Sequence, residues 1–481
     1  MPLLPKPVFL WTDIVLWLLF AALLASVWRA RRDARARAAW GQVFRDPYAA
    51  GSAIVVGAFL LLAMTDSIHF RRALPPAPGA TAVAYDVRTE SLLDLPLAPL
   101  IAHREVTYSE PLAWRSFVKE SVQKGGKTVR EFPRLAFGGA QLKDPPRGWA
   151  ADIAWRAFAG LLGGAAASLV AVLVIARATA QGGERLRGAW RRIVARRTVL
   201  PVRAMATTTA ALLLAAGVVV GLASGYHVLG TDRTGNDVLY QAIKSVRTAF
   251  VIGSLATLAT LPLAMVLGIM AGYFKGWVDE AIQYVYTVLS SVPNVLLIAA
   301  CALMVQVYID QHADQFATGA ERADLKLFLL CVILGTTGWA SLCRLLRGET
   351  LKLRELEYVQ AATAFGVSHW RIMLRHILPN VLHLVLITTV LDFSALILYE
   401  AVLSYVGVGV DPSMNSFGGM INLSRSEMAR DPTVWWSFAA AFFFMVTLVL
   451  AANLFADGVR DAFDPRARRF APRLAPAKEA A

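Results

Sequence analysis

Nine apolar runs dominate the chain, at about 8–28, 51–66, 153–176, 204–224, 246–272, 281–307, 325–345, 380–408 and 434–457. A hydrocarbon core about 30 Å thick takes roughly 20 apolar residues of helix to cross, and most of these runs reach that length. Inside a bilayer no water completes the backbone hydrogen bonds, so a spanning chain forms either helices or a closed barrel. A barrel would read as alternating segments of about ten residues, and no such series occurs. The expected fold is an all-α polytopic membrane protein. Composition agrees: 57% of the residues are hydrophobic and 17% charged, against about 45–50% and 25% in soluble domains.

The net charge of +14 would suit nucleic acid in a soluble chain. In a membrane chain Lys and Arg mark cytoplasmic loops, and no nucleic-acid partner is expected. The basic runs RARRDARAR (29–37), ERLRGAWRRIVARR (184–197) and DPRARRFAPR (464–473) orient the scheme. Loops 29–50, 177–203, 273–280 and 346–379 then lie inside, together with the tail. Loops 67–152, 225–245, 308–324 and 409–433 lie outside, as does the N-terminus. The first run is followed by basic residues and no small-residue cleavage site, so it reads as a retained anchor. The expected divisions are 1–66 (N-terminal helices), 67–152 (an extracytoplasmic insertion), 153–203 (one helix and a basic loop), 204–466 (a six-helix core) and 467–481 (a tail).

Cys301, Cys331 and Cys343 fall in or beside apolar runs and read as small buried hydrophobes. GGKT at Gly125–Thr128 lacks the first glycine of a phosphate-binding loop, Ser121 standing there, and reads as a turn. No catalytic or metal-ligating constellation is expected, and no cofactor bound by this chain.

One polar, basic stretch interrupts the apolar chain: EYVQAATAFGVSHWRIMLRHILPN, Glu357 to Asn380. Leu353, Leu356, Val359 and Thr363 follow helical spacing. Gly366 is placed to end that helix in a left-handed conformation. Ser368 can cap a second helix through its hydroxyl, and Pro379 can open the next membrane helix. Trp370, Met373 and Leu374 offer apolar contact there, and Arg371 and Arg375 offer charge. Local physics leaves two readings open: a docking element for a soluble partner, or an amphipathic hairpin lying on lipid headgroups.

The stretch resembles the EAA loop of ABC-importer permeases, through Gln360-Ala361-Ala362, Gly366 and Leu378-Pro379, with Gln360 in place of the leading acid and Glu357 one turn earlier. HVLGTDRTGNDVL (227–239), AGYFKGWVDEAIQ (271–283), EAVLSYVGVGVDPSMNSFGGMI (400–421) and NLFADGVRDAFDPRAR (453–468) resemble ordered segments of the dipeptide/oligopeptide/nickel branch of that family, in its C-type subunit. The resemblance implies a type I importer permease core with about three additional N-terminal helices, in the cell's inner membrane. It implies that the loop 357–379, through Glu357, Gln360, Ala361, Ala362, Gly366, Trp370, Arg371, Leu378 and Pro379, enters a cleft of a cytoplasmic ATPase. The implied partners are a second permease, two ATPase subunits or a fused pair, and an extracytoplasmic solute-binding protein. ATP would be used by the partners and not by this chain. HVLGTDRTGNDVL reads physically as a turn cluster leading into a short amphipathic helix, or as a simple capped connection, and Pro293 is expected inside a membrane helix, where neighbours satisfy the freed carbonyl.

Asp392 and Glu400 lie within the eighth run. Their spacing of just over two turns suggests a shared face, and a carboxylate within a membrane helix is a functional candidate by default. Both are candidates for the substrate pathway. The bland reading is a buried carboxylate bonded to a nearby hydroxyl, with Thr388, Thr389 and Ser394 close in sequence. The expected function is one permease half of an ATP-driven importer for peptides or a similar solute. The competing classes are a self-contained ion-driven transporter or channel, and a membrane scaffold.

Overall fold

The computed structural model describes residues 5–74, 84–124, 127–179, 200–316 and 318–463. The basic run 184–197, Gly125 and Gly126 of GGKT, and the tail from 464 onward lie outside the described residues.

The apolar runs become helices, with two interruptions. In chain order the first are α1 (Trp11–Arg32), α2 (Ala34–Val43), α3 (Pro47–Asp66), α4 (Asp94–Ala102), α5 (Pro145–Ala178) and α6 (Val202–Ala223). Then come α7 (Val238–Phe274), α8 (Gly276–Ser291), α9 (Asn294–Gln311), α10 (Gly319–Gly338) and α11 (Ala340–Arg354). Last are α12 (Glu357–Ala364), α13 (His369–Ile372), α14 (Leu378–Val406), α15 (Phe417–Glu427) and α16 (Trp436–Phe463). Among the described residues eight helices are long and apolar enough to cross a membrane, or nine if α10 and α11, bent by 40°, form one span.

Two expectations change here. The run 281–307 is not one helix: Val292 and Pro293 are extended between α8 and α9. Pro293 therefore breaks the helix instead of sitting within it, because it lacks an N–H and its ring clashes with the preceding turn. The segment HVLGTDRTGNDVL also opens no short separate helix. Asp237 caps α7 directly, accepting from Leu239 N at 2.8 Å and Tyr240 N at 3.1 Å.

α7 is the central helix. Its first half packs in a cluster with α14, α15 and α16, and its second half packs with α8, α11 and the 357–379 loop. Near its start it carries two cations. Arg247, 4% exposed, donates from Nε to Asp13 of α1 at 3.0 Å, and its Nη2 lies 3.6 Å from Asp324 of α10. Lys244 pairs with Asp66 at the end of α3 and with Asp94 of α4 at 3.1 Å.

The N-terminal helices thus join the core through charge as well as apolar packing, in which Leu16 and Met64 lie with Val251 and Leu327, and Ala49 with Val459. α5 and α6 form a separate pair. A Cβ added at Gly217 would meet Gly160 O at 2.5 Å, and one added at Gly164 would meet Leu213 O at 2.7 Å. Such small-residue spacing lets membrane helices approach backbone to backbone. α6, counted in sequence as the first core helix, packs on α5 and α3.

The described residues between α3 and α5 form an irregular cap at one end of the bundle. Strands β1 (Lys6–Val8), β2 (His69–Arg71) and β3 (Glu90–Ser91) form an antiparallel sheet, with Pro7 opposite Phe70 and Phe70 opposite Glu90. Strands β4 (Glu120–Lys124) and β5 (Lys127–Glu131) form a hairpin. The cap is anchored on HVLGTDRTGNDVL. Thr231 N donates to Ser109 O at 3.1 Å, and Glu105 N donates to Gly235 O at 3.1 Å. Gly235 has φ +76°, and an added Cβ would lie 1.8 Å from Glu105 O. Only glycine fits there.

The Glu105 carboxylate accepts from Ala136, Phe137 and Gly138 N at 2.8–3.1 Å. His227 Nδ1 bonds Asp237 at 2.7 Å, and its Nε2 lies 3.6 Å from Glu105. Burial opposes both charges. The His227 contact and the three N–H groups nevertheless hold Glu105 down at about 2, and Asp237 and Glu105 hold His227 up at about 9.

Two outcomes follow for this architecture. Glu105, ordinarily 4.5, is depressed, so its contribution is present above 4.5 and lost as pH falls toward 2. His227, ordinarily 6.5, is raised, so its contribution is full below 6.5 and lost as pH rises through about 9. Protection of residues 105–138 from protease should therefore be greatest between about pH 4.5 and 6.5 and fall on both sides; a flat profile would contradict this anchor. In the α5–α6 pair, Gly217→Leu should destabilise by about 1–3 kcal/mol through overpacking. Gly163→Leu, with nothing within 4 Å of its added Cβ, should not. Thermal denaturation of the purified protein compares the two.

Candidate coupling loop and intramembrane cavity

The polar stretch 357–379 folds as a helix, a left-handed glycine and a second helix. α12 ends in a paired cap: Val367 N donates to Ala362 O at 3.1 Å and Gly366 N to Thr363 O at 3.0 Å. This arrangement needs a left-handed residue just past the helix, and Gly366 supplies it with φ +70°.

Two local expectations are corrected. Ser368 occupies the cap position of α13 but makes no side-chain cap bond. The second helix is also not a separate short element. α13 continues through a π-helical turn, Met373–Ile377, into α14, so 369–406 is one rod. Pro379 sits in the first turn of α14.

The loop has two faces. Val359, Ile372, Met373 and Ile377 are buried with Tyr273 of α7, Ile282 and Tyr286 of α8, and Leu346 of α11. Met373, expected as a contact residue, is thus part of the core. The outer face carries Glu357, Gln360, Ala361, Trp370 and Arg371, all exposed. Phe365 is 86% exposed and Trp370 58%. The sequence reading passed over Phe365; a large aromatic beside the glycine of a polar loop was the available signal.

Arg371 and Arg375 form no ion pair among the described residues. Gln360, on the exposed face, donates from Nε2 to Glu355 O at 3.1 Å. Ala362 and Leu378 are half-buried and Pro379 is exposed. The arrangement is a rigid elbow with an aromatic and cationic outer surface and an apolar root in the bundle.

Asp392 and Glu400 do not share a face. Eight residues at about 100° each leave them about 80° apart. Glu400 is 3% exposed and turned toward α15; it accepts from Ser404 Oγ at 2.6 Å, and a Cβ at Gly418 would meet its Oε1 at 2.7 Å. Its hydroxyl partners are Ser404 and Ser416. Thr388 and Thr389 spend their hydroxyls on carbonyls of their own helix.

Asp392 lines a cavity of about 350 Å³ between α7, α9, α10, α11 and α14, with Thr260, Asn294, Ser341, Thr388 and Tyr399 as the other polar lining residues. It makes no hydrogen bond or ion pair among the described residues. A carboxylate at the centre of a spanning helix costs about 2.5–3.5 kcal/mol on insertion scales, so its place beside a polar cavity needs a purpose that packing does not supply.

Residues 264–469 match the family described as binding-protein-dependent transport system inner membrane component. The matched stretch contains the loop, α14 and every cavity-lining residue except Thr260. The oligopeptide transport system permease protein OppC of Mycobacterium tuberculosis strain H37Rv is 32% identical over 242 residues, 50% of this chain and 77% of the relative. OppC of Haemophilus influenzae is 32% identical over 244 residues, 51% and 72%. The glutathione transport system permease protein GsiD of Pectobacterium atrosepticum is 32% identical over 244 residues, 50% and 74%. The chain therefore belongs to the binding-protein-dependent inner membrane components, as a multi-pass C-type permease subunit of an ABC importer.

Proposed function

We propose that this permease forms half of the translocation pathway for peptides or a similar small solute. It would work beside a second homologous permease, with two cytoplasmic ATPase subunits or a fused pair and a solute-binding protein outside. The ATPases contact the loop 357–379, which places that loop in the cytoplasm and the cap of residues 67–144 on the opposite side. The binding protein docks at the cap end. ATP is bound and hydrolysed by the partners, and this chain performs no covalent chemistry.

The observation that carries this reading is the two-faced elbow. Phe365, Trp370, Arg371 and Arg375 are presented outward, while Val359, Ile372 and Ile377 are rooted among α7, α8 and α11. An element lying on lipid has no need of that rigid root. Of the two membrane carboxylates, Asp392 lines the pathway, and Glu400 fixes α15 against α14. The relatives named for oligopeptide and glutathione transport support a peptide-like solute.

The test acts on Gly366. An added Cβ there meets nothing within 4 Å, so a substitution acts through the φ of +70° and not through a clash. A branched residue resists that conformation, whereas Asn adopts it readily. In the complex with both permeases, the ATPases and the binding protein in proteoliposomes, Gly366→Val should leave insertion and assembly intact and lower ATP-driven uptake roughly 5- to 30-fold, as expected for a strain of about 1–2 kcal/mol. Gly366→Asn should retain most uptake. If the Val variant hydrolyses ATP and transports at the parent's rate, the loop does not transmit the ATP cycle and the lipid-surface reading returns.

A further inference from the structure

Asp392 stands at the midpoint of α14 (Leu378–Val406), beside two interruptions of neighbouring helices. The first is the extended pair Val292–Pro293 between α8 and α9; Ser291, Val292, Pro293 and Asn294 are all exposed in this chain. Irregular backbone at membrane depth does not face lipid. It occurs where protein covers it or where it lines a watery space. The second is the 40° bend between α10 and α11, which brings Gly338 and Ser341 to the same cavity. Both breaks therefore mark this face as one turned to the pathway and the second permease.

The chemistry of the lining is selective. Asp392 brings a full negative charge, and Thr260, Ser341, Thr388 and Tyr399 bring hydroxyls. The Tyr399 hydroxyl is buried, with the Asn294 side chain of the same lining as its polar neighbour. The α8 helix ends at the break, and a helix C-terminus carries partial negative charge. Arg344 does not neutralise this set: it donates to Ser290 Oγ at 2.8 Å and stacks over Tyr286 at 4.8 Å. Among the described residues no group of three metal-ligating side chains occurs, so the lining does not suit a metal. A primary ammonium offers three donors and no acceptor. One carboxylate with hydroxyl and amide oxygens around it answers that pattern. About 350 Å³ lies at the low end of small-molecule sites, roughly 300–1,000 Å³. The space takes one charged end of a solute and not an extended chain.

We propose that Asp392, with the polar lining of this cavity, forms a subsite for the primary ammonium group of the transported solute, closed on its open side by the second permease. The proposal rests on the importer reading, and its first test does not require the solute to be a peptide. In the purified full complex, a hydrophobic carbodiimide should modify Asp392, located by mass spectrometry. Propylammonium should slow that modification roughly tenfold or more, while the neutral isostere 1-propanol should not; in a peptide importer trialanine and N-acetyltrialanine repeat the contrast. Absence of modification, or equal protection by propylammonium and 1-propanol, would overturn the subsite.

The second test is uptake. Asp392→Asn keeps the side-chain shape. Loss of one charge-assisted hydrogen bond should raise the apparent KM for trialanine roughly 10- to 100-fold, with complex assembly and coupled ATP hydrolysis retained. An unchanged KM would reject the proposal. If the parent complex does not transport trialanine, the peptide reading fails by itself and the carbodiimide result decides the subsite.

Discussion

The pairing of Lys244 and Arg247 holds the molecule's two halves together. Both sit on α7, one turn apart; Arg247 is buried and Lys244 largely so. A buried cation stripped of its partner costs far more than an intact pair contributes. Each carboxylate that meets them is therefore held in place. Asp13 fixes α1, Asp66 the end of α3, Asp94 the helix α4, and Asp324 the start of α10. Helices in lipid gain little from apolar contact with one another, because lipid tails serve as well. Charge is the more specific means of attaching additional helices to an existing core.

The loop and the cavity are mechanically one system. The rod from His369 to Val406 begins at the elbow, passes Ile377 and Val381 in the shared apolar cluster, and reaches Asp392 without a break. The same cluster includes Tyr273, Leu346 and Trp339, the last at the bend above the cavity. A push at Trp370 thus has a stiff route to the cavity wall. Packed interiors transmit strain in this way because they have little room to absorb it.

Much of the fold was legible because long apolar runs admit few alternatives. Gly366 and Pro379 were legible for the same reason: each has one favoured backbone use. What the sequence hid was pairing over distance. Asp13 and Arg247 are 234 residues apart, and Glu105 finds its partners around 136–138 and at His227; no local pattern encodes either meeting. Pro293 could be read as a kink or as a break, and the distinction lies in the neighbours. Met373 faces inward where α13 widens into the π-helical turn, and a phase counted on 3.6 residues does not carry through such a turn. The Gly160/Gly164 and Gly217/Gly221 spacings were visible as small residues four apart, a signal the apolar background masked.

The short sheet has a bearing on how the chain is made. β1 precedes α1, and its partner β2 follows α3, so residues 6–8 remain unpaired until the ribosome has released residue 71. The first strand must wait on its own side of the bilayer while two spanning helices are threaded after it. When β2 arrives, the two close the helical hairpin like a clasp. A chain in which only one of the two helices crosses the bilayer leaves the strands on opposite sides and has no clasp to fasten. The pairing therefore works as a built-in check on insertion, separating chains in which both helices cross from those in which one has failed to, before the core helices are synthesised.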